Sequence, residues 1–499
     1  MKNKFIIYIL CTCIAGLTSC KKFLETTPET SLTTGNAYNS ASDIENAIVG
    51  AYNIFYKEYY IWDNVLLGDL RSDNAYTGGS NDQAVLPYDL LTIPAGNSRM
   101  LFDWQQLYEG IARCNIILNK IGDVTDVKLD ADNRRNEIIG EASFLRAFHY
   151  FQLVKTFGGV PIELNSNSAD PEKTNLARST ETEVYDQIVK DLEVAITNLP
   201  DAYGDDPSVN KVKATKGAAN ALMAKIWAQR SDRDYSKVLT YCNAVISSAA
   251  GYHLLENYAD LFDGDHYTND ESILEVPFIA NTELANWGVQ LYLAPEDGWQ
   301  KYCVPSKDLV AKYDSENDEV RKNANIIFIN NLDWADENWN PCQDYSVYVP
   351  FNYKQKHPNA WSSGDHQYLL RLADIITLKA EAQNETGDLA GAAATLNLIR
   401  SRVQLPDVEP ISKEQMKTAI LDERRLELAF EGQRWDDLVR NSVAVNVMNA
   451  LQEVKYTCED GIESAPVPIN YNCNNDKLIC PIPQLERDAN PNLTQNPGY

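Results

Sequence analysis

The chain has 499 residues, with 71 acidic side chains against 44 basic ones and a formal net charge of -27. A surface that negative repels phosphate backbones and anionic headgroups, which excludes general nucleic-acid binding and electrostatic adhesion to membranes. With 44% apolar and 23% charged residues it is a folding chain, long enough for two to four domains of ~150 residues or for one large repeat fold. Its aromatic inventory stands out: 27 Tyr, 13 Phe and 9 Trp beside 5 Met and 5 His.

Residues 1–19 read as a signal peptide, with Lys2 and Lys4 ahead of an apolar stretch from Phe5 to Leu17. That stretch is shorter than the ~20 residues a spanning helix needs. Leu17-Thr18-Ser19-Cys20 resembles a bacterial lipobox, which places cleavage before Cys20 and lipid on Cys20; an ordinary signal cleaved near Ala15 is the alternative. Several acyl chains on one cysteine would hold the body at a membrane, where a single chain binds only marginally. The later cysteines, Cys114, Cys242, Cys303, Cys342, Cys458, Cys473 and Cys480, are odd in number and form no CxxC pair, so a zinc or redox motif is unsupported. In an exported chain some of them can oxidise, and Cys458, Cys473 and Cys480 lie in a loop-like stretch that allows a bridge, with the pairing, if any, left open.

Helical periodicity dominates the chain beyond Cys20. Ile44, Ala47, Ile48, Ala51 and Phe55 share one stripe after Ser42 as cap, and Trp104, Leu107, Ile111, Cys114 and Leu118 share another. Arg135 to Phe157 is a third helix, stopped by Gly158, Gly159 and Pro161; Thr182 to Leu199 is a fourth, capped by Thr180 or Thr182. Residues 225–246 align with residues 379–400, matching Lys225, Ala228, Gln229, Asp234 and Asn243 with Lys379, Ala382, Gln383, Asp388 and Asn397. Each unit is an alanine-rich helix, a polar turn and a second helix, the hairpin of tetratricopeptide-type solenoids, which bury their apolar faces by stacking. Between the units, residues 251–366 lack helical period; Ile273 to Phe278 and Ile326 to Ile329 read as short strands, the first at an edge because of Pro277. Residues 60–103 form a second irregular stretch, and Lys455 to Tyr499 a third. The expected fold class is mainly α: tetratricopeptide-type hairpins forming a scaffold that displays long aromatic loops, with a few short strands.

Several segments resemble one family. Arg146–Ile162 (RAFHYFQLVKTFGGVPI), Arg371–Asp388 (RLADIITLKAEAQNETGD), Ile420–Arg440 (ILDERRLELAFEGQRWDDLVR), Cys480–Tyr499 (CPIPQLERDANPNLTQNPGY) and the start CKKFLETTP are similar to the SusD/RagB family, in the right order along nearly the whole chain. The resemblance implies a lipid-anchored outer-membrane protein, facing the cell exterior, that binds a nutrient, most often a glycan, and caps a SusC-like TonB-dependent transporter. It also implies two halves: residues 20–250, with a binding loop at 60–103, and residues 251–499, with a loop region at 251–366, a helical repeat at 367–402, a helix at 413–432 and an extended C-terminal strap. Lys21 and Lys22 stand where acidic residues are often associated with surface export.

In the motif from Glu423 to Asp437 we read scaffold rather than catalysis: Arg424 with Glu427 and Glu431 with Arg434 are i,i+3 partners, Gly432 permits a turn and Trp435 packs. His149, among apolar residues, reads as a core histidine, and Trp104, Trp227 and Trp435 read as core tryptophans. Sugars present apolar ring faces edged by hydroxyls, so their sites combine flat aromatics with planar polar groups. Tryptophans in irregular segments, Trp62, Trp287, Trp299, Trp334, Trp339 and Trp361, are where exposure is expected. The binding candidates are Trp62, Asp69, Arg71, Asp73, Asn74 and Tyr76 in one loop, Trp287, Tyr292, Trp299 and Tyr302 in a second, and Trp334 and Trp339 in a third. Acidic residues of the third loop are candidate ligands for a calcium ion, although their spacing is not that of an EF-hand; no other cofactor is implied.

The leading expectation is a non-catalytic, tethered binder of oligosaccharide or polysaccharide; a peptide binder and a glycoside hydrolase are the alternatives. Two carboxylates suffice for the latter, and 71 acids give no specific pair. No G-x-S-x-G, HExxH or P-loop stands in the chain. A helical-repeat adaptor for other proteins would share the scaffold without using the aromatic loops.

Overall fold

Stacked helical hairpins form the scaffold, seen in a computed structural model that describes residues 37–78, 82–165, 175–292, 302–330, 336–410 and 412–499. The signal peptide, Cys20, Trp299 and Trp334 lie outside the described residues. Twelve helices carry the argument. They are α1 (Ala41–Tyr52), α2 (Ser98–Lys120), α3 (Arg134–Phe157), α4 (Glu181–Asn198), α5 (Lys216–Gln229), α6 (Tyr235–Ile246), α7 (Lys307–Glu316), α8 (Glu319–Asn325), α9 (Leu372–Thr386), α10 (Leu389–Arg402), α11 (Lys413–Leu428) and α12 (Arg434–Arg440). The short strands β1 (Ala75–Tyr76), β2 (Ser272–Val276), β3 (Val304–Pro305), β4 (Ile326–Ile329), β5 (Val349–Asn352) and β6 (Gln367–Arg371) pair antiparallel as β1 with β3, β2 with β6 and β4 with β5.

Caps fix where the helices begin. Ser40, rather than Ser42, caps α1, because Asp43 at the third position answers it and closes a capping box. Thr180 and Glu183 do the same for α4, and α3 ends at Gly158, whose φ of 71° leaves the helical region. Helices α2 and α3 pack together, then α3 on α4, α4 on α5 and α5 on α6. The two sequence-matched hairpins, α5–α6 and α9–α10, then meet directly, α6 against α9. Residues 251–366 are therefore an excursion: the chain leaves the solenoid, builds the loop face and returns in register. Ala218, Ala221 and Ala224 are fully buried, where their small size allows the close helix approach.

The charged motif belongs to the interior, and its partners differ from the local pairs expected. Arg371 donates to Glu271 at 2.9 Å, to Glu427 at 2.7 Å and, from Nε, to Glu431 at 2.7 Å. Arg402 and Arg321 also reach Glu427, so this one carboxylate gathers three guanidiniums. Arg424 pairs with Asp437 and Asp374 instead of Glu427. Arg434 forks onto Asp73, at 2.7 and 2.8 Å, instead of meeting Glu431. Cross-element pairs dominate because burial makes each unpaired charge costly, and acids from other elements reach these arginines in fork geometry.

Two glycines are required at the join of this motif with residues 59–70. A Cβ on Gly68 would lie 2.2 Å from the Gly432 carbonyl carbon, and Gly432 itself holds φ 73°. The C-terminal strap closes the other end: the Cys480 amide donates to Thr156 O at 2.7 Å, that of Gln484 to Ala95 O at 2.8 Å, and Asn496 Nδ2 to Phe157 O at 2.9 Å. Cys342 and Cys458 form a disulfide, which settles the pairing the sequence leaves open, and Cys473 and Cys480 are buried thiols. Among the described residues no helix is long and apolar enough to cross a membrane.

Candidate functional site

The loop from Trp62 to Thr77 is an interior element, contrary to the exposure expected of it. Residues Tyr59–Asp63 and Leu66–Leu70 form two π-helical turns, and every residue of both is buried. Asp69 accepts hydrogen bonds from the Phe430 and Gly432 amides, at 2.9 and 2.7 Å, and from Asn74 Nδ2 at 2.8 Å. Burial pushes its carboxyl up to about 6 against those three donors. Arg71 lies over the Trp435 ring, 4.4 Å from its centre. Burial would raise Asp73, but the Arg425 and Arg434 guanidiniums outweigh it and hold the carboxyl at about 2. Asn74 Oδ1 accepts from Arg425 Nε at 2.9 Å, and Tyr76 donates to Asp336 Oδ1 at 2.8 Å. These side chains bind the two parts of the chain together, and their polar groups are engaged internally.

Tyr292 is also buried, its hydroxyl donating to Trp62 O at 3.2 Å. Trp339 is half-buried beside Phe328, and Asp336 Oδ1 caps the turn before it by accepting from the Asn338 and Trp339 amides at 3.0 and 2.8 Å. Among the described residues the one group that brings metal-binding atoms within 4.8 Å of one another is Asp260, Asp263 and His266, away from Trp339 in sequence and partly exposed. His149 is a core histidine: it meets the Tyr60 hydroxyl at 2.7 Å, and burial lowers it to about 3.

What remains open to solvent is a set of aromatic rings on the excursion. Trp287 and Tyr302 are half-buried and stand against Trp62, with ring centres at 6.1 and 5.4 Å. Gly288 permits that approach, since a Cβ there would lie 2.6 Å from Ile61 Cγ2. Tyr302 is oriented by its hydroxyl, which donates to Asp82 Oδ2 at 2.9 Å. Trp361, absent from the sequence-derived binding candidates, is 43% exposed, and its segment is joined to that of Trp287. Its amide donates to Gln290 Oε1 at 3.0 Å, and Gln290 in turn sits one short turn beyond Trp287. The Asn286 amide donates to Ser363 O at 2.8 Å, tying the two tryptophan segments edge to edge.

Trp361 is held under strain. Asn359, Ala360 and Trp361 all have positive φ, 43°, 51° and 72°, a conformation that costs non-glycine residues and persists only when the surroundings impose it. Asp365 imposes it by closing the loop: its Oδ2 accepts from the Lys356 and His357 amides at 2.7 and 2.9 Å, and its Oδ1 from Tyr267 at 2.9 Å. Asn359 Nδ2 donates to Asn281 Oδ1 at 3.2 Å and to Ser362 O at 2.9 Å, which closes the turn that carries Trp361. Partly open aromatic rings are surfaces on which the apolar face of a sugar packs.

Two sequence profiles match the chain: one described as the SusD family over residues 290–499, and one described as SusD-like, starch-binding and associating with the outer membrane, over residues 22–227. The chain is a member of the SusD/RagB family. SusD-like protein P25 of Formosa agariphila is 25% identical across 100% of this chain and 99% of its own length. The starch-binding protein SusD of Bacteroides thetaiotaomicron is 27% identical over 42% of this chain and 35% of its own. Among solved structures, a SusD superfamily protein from Bacteroides vulgatus superposes with a TM-score of 0.77 at 24% identity, covering 93% of this chain and 100% of that one. A laminarin-binding SusD-like protein superposes with a TM-score of 0.74 at 25% identity, with the same coverages. The mainly helical SusD-like architecture is thus the fold of this chain.

Proposed function

We propose that this SusD-like chain is a non-catalytic glycan-binding protein whose ligand lies on the face made by Trp287, Tyr302 and Trp361, with Trp62 as their backing. The observation that carries this reading is the strained, stapled loop that keeps Trp361 exposed in a segment joined to that of Trp287. A protein spends that conformational energy on an exposed ring where the ring is used, and pre-organised aromatics reduce the ordering cost of binding. The names of the starch-binding and laminarin-binding relatives support carbohydrate as the ligand class. In this reading Cys20 carries lipid at the outer membrane, and the bound glycan passes to a SusC-like TonB-dependent transporter that the protein covers from the outside.

The reading is tested by retardation of the full-length chain in gels containing starch, laminarin and other neutral polysaccharides, with reducing ends assayed alongside. Retardation by at least one glycan with no release of reducing ends is the expected result. Release of reducing ends would establish a hydrolase. Co-purification from outer membranes with a large TonB-dependent barrel tests the transporter role.

A further inference from the structure

Beneath Trp62, four charged or ionisable side chains form one enclosed unit. Arg99, in the first turn of α2, lies against the Trp62 ring with Cζ 3.8 Å from its centre. Its Nε donates to Asp63 Oδ1 at 2.8 Å, and its Nη2 to Asp63 Oδ2 at 3.1 Å and to Glu58 Oε1 at 2.5 Å. Glu58 Oε1 also accepts from the Trp62 indole Nε1 at 3.3 Å, so cation, anion and indole close a ring. Asp103, one turn along α2 from Arg99, is fully buried, and neither of its oxygens receives a hydrogen bond from a protein donor.

The Asp103 carboxyl lies within hydrogen-bonding reach of that of Asp63. Two carboxyl groups so placed, both fully buried and facing one guanidinium, do not both ionise; they share a proton. Burial first, and then the Asp63 charge, pushes Asp103 far above the usual carboxylate range. The other titratable groups facing the pair are Glu58 and the phenols of Tyr59, Tyr88 and Tyr292, which burial keeps neutral.

We propose that Arg99 is the residue that positions Trp62 behind the ligand face, and that Asp103 is a neutral carboxylic acid donating to Asp63 and keeping it singly charged and forked onto Arg99. The link to ligand rests on the glycan-binding reading of that face; the clamp itself does not. Adding a proton to Asp63 in acid releases the fork. Removing the proton from Asp103 in alkali sets two negative charges against one cation. An asparagine at 103 donates from its amide without titrating, so Asp103→Asn abolishes the alkaline step and leaves the acid step, the protonation of Asp63, in place.

The experiment tracks the Trp62 indole N–H by 15N-tryptophan NMR of the full-length chain from pH 5 to pH 10, assigned with Trp62→Phe, alongside titration with a laminarin oligosaccharide. Wild type is expected to shift in an acid and an alkaline step. Asp103→Asn should keep only the acid step. Because Arg99→Met alone strands the Asp63 charge, it is paired with Asp63→Asn and its fold checked by melting. That double variant should show a Trp62 signal that no longer titrates and an affinity at least fivefold weaker. A Trp62 signal indifferent to pH in wild type, or titrating alike in Asp103→Asn, overturns the proposal. A signal that behaves as expected with no oligosaccharide bound at any pH supports the clamp and overturns the glycan reading.

Discussion

The Glu423–Asp437 motif and the Trp287–Trp361 loop face spend polar groups in opposite ways. In the motif, Arg371, Arg424, Glu427 and Asp437 are buried, and each charge meets two or more opposite ones, most of them from other elements. On the loop face the backbone is held in unfavourable φ and the rings are left partly uncovered. The first region specifies how distant segments assemble; the second is the surface we propose binds glycan. A cluster of charges here marks the scaffold, and the strained exposed tryptophan is the feature on which the proposed site rests.

Breaking the motif should give the largest effect. Arg371→Met leaves Glu271, Glu427 and Glu431 short of a shared partner, and should destabilise by about 3–5 kcal/mol or prevent folding, measured by denaturant unfolding. Replacing Arg371 and Glu427 together by methionine and glutamine sharpens the point, since the pair should cost less than the two single losses added. The Cys342–Cys458 bridge spans 116 residues of sequence. Changing both cysteines to serine should cost about 2–4 kcal/mol, read as a lower melting temperature. Glycan affinity should fall far less than stability, because neither cysteine belongs to the loop face.

Gly288→Ala tests the other side of the contrast. Its Cβ would press on Ile61 at 2.6 Å, so Trp287 must move off Trp62. We expect ~1–3 kcal/mol of destabilisation from this overpacking, with a loss of glycan affinity that persists at temperatures where the variant remains folded.

The helices and their stops are legible in the sequence because caps and apolar spacing are local: Thr180 with Glu183, and Gly158 after Phe157, mark their own ends. The matched hairpins are legible as a repeat, but not their contact through α6 and α9, which depends on where residues 251–366 return the chain. The stretch from Tyr59 to Leu70 reads as a loop because π-turns lack the 3.6-residue period and Leu66, Leu67 and Leu70 are buried on all sides. Asp69 and Asp73 look like ligand groups because their partners, the Phe430 and Gly432 amides and Arg434, lie hundreds of residues away. Trp361 sits among Asn, Ala and Ser, and its exposure comes from backbone angles that no residue pattern announces.

The central claim is that the exposed aromatic face, not the charged motif, binds glycan. Calorimetric titration of wild type, Trp287→Ala and Trp361→Ala with the polysaccharide that retards the chain tests it directly. Each substitution should weaken binding by about 2 kcal/mol, roughly thirtyfold in Kd, while the melting temperature stays near that of wild type for the more exposed Trp361. Undiminished affinity in both folded variants would contradict the account.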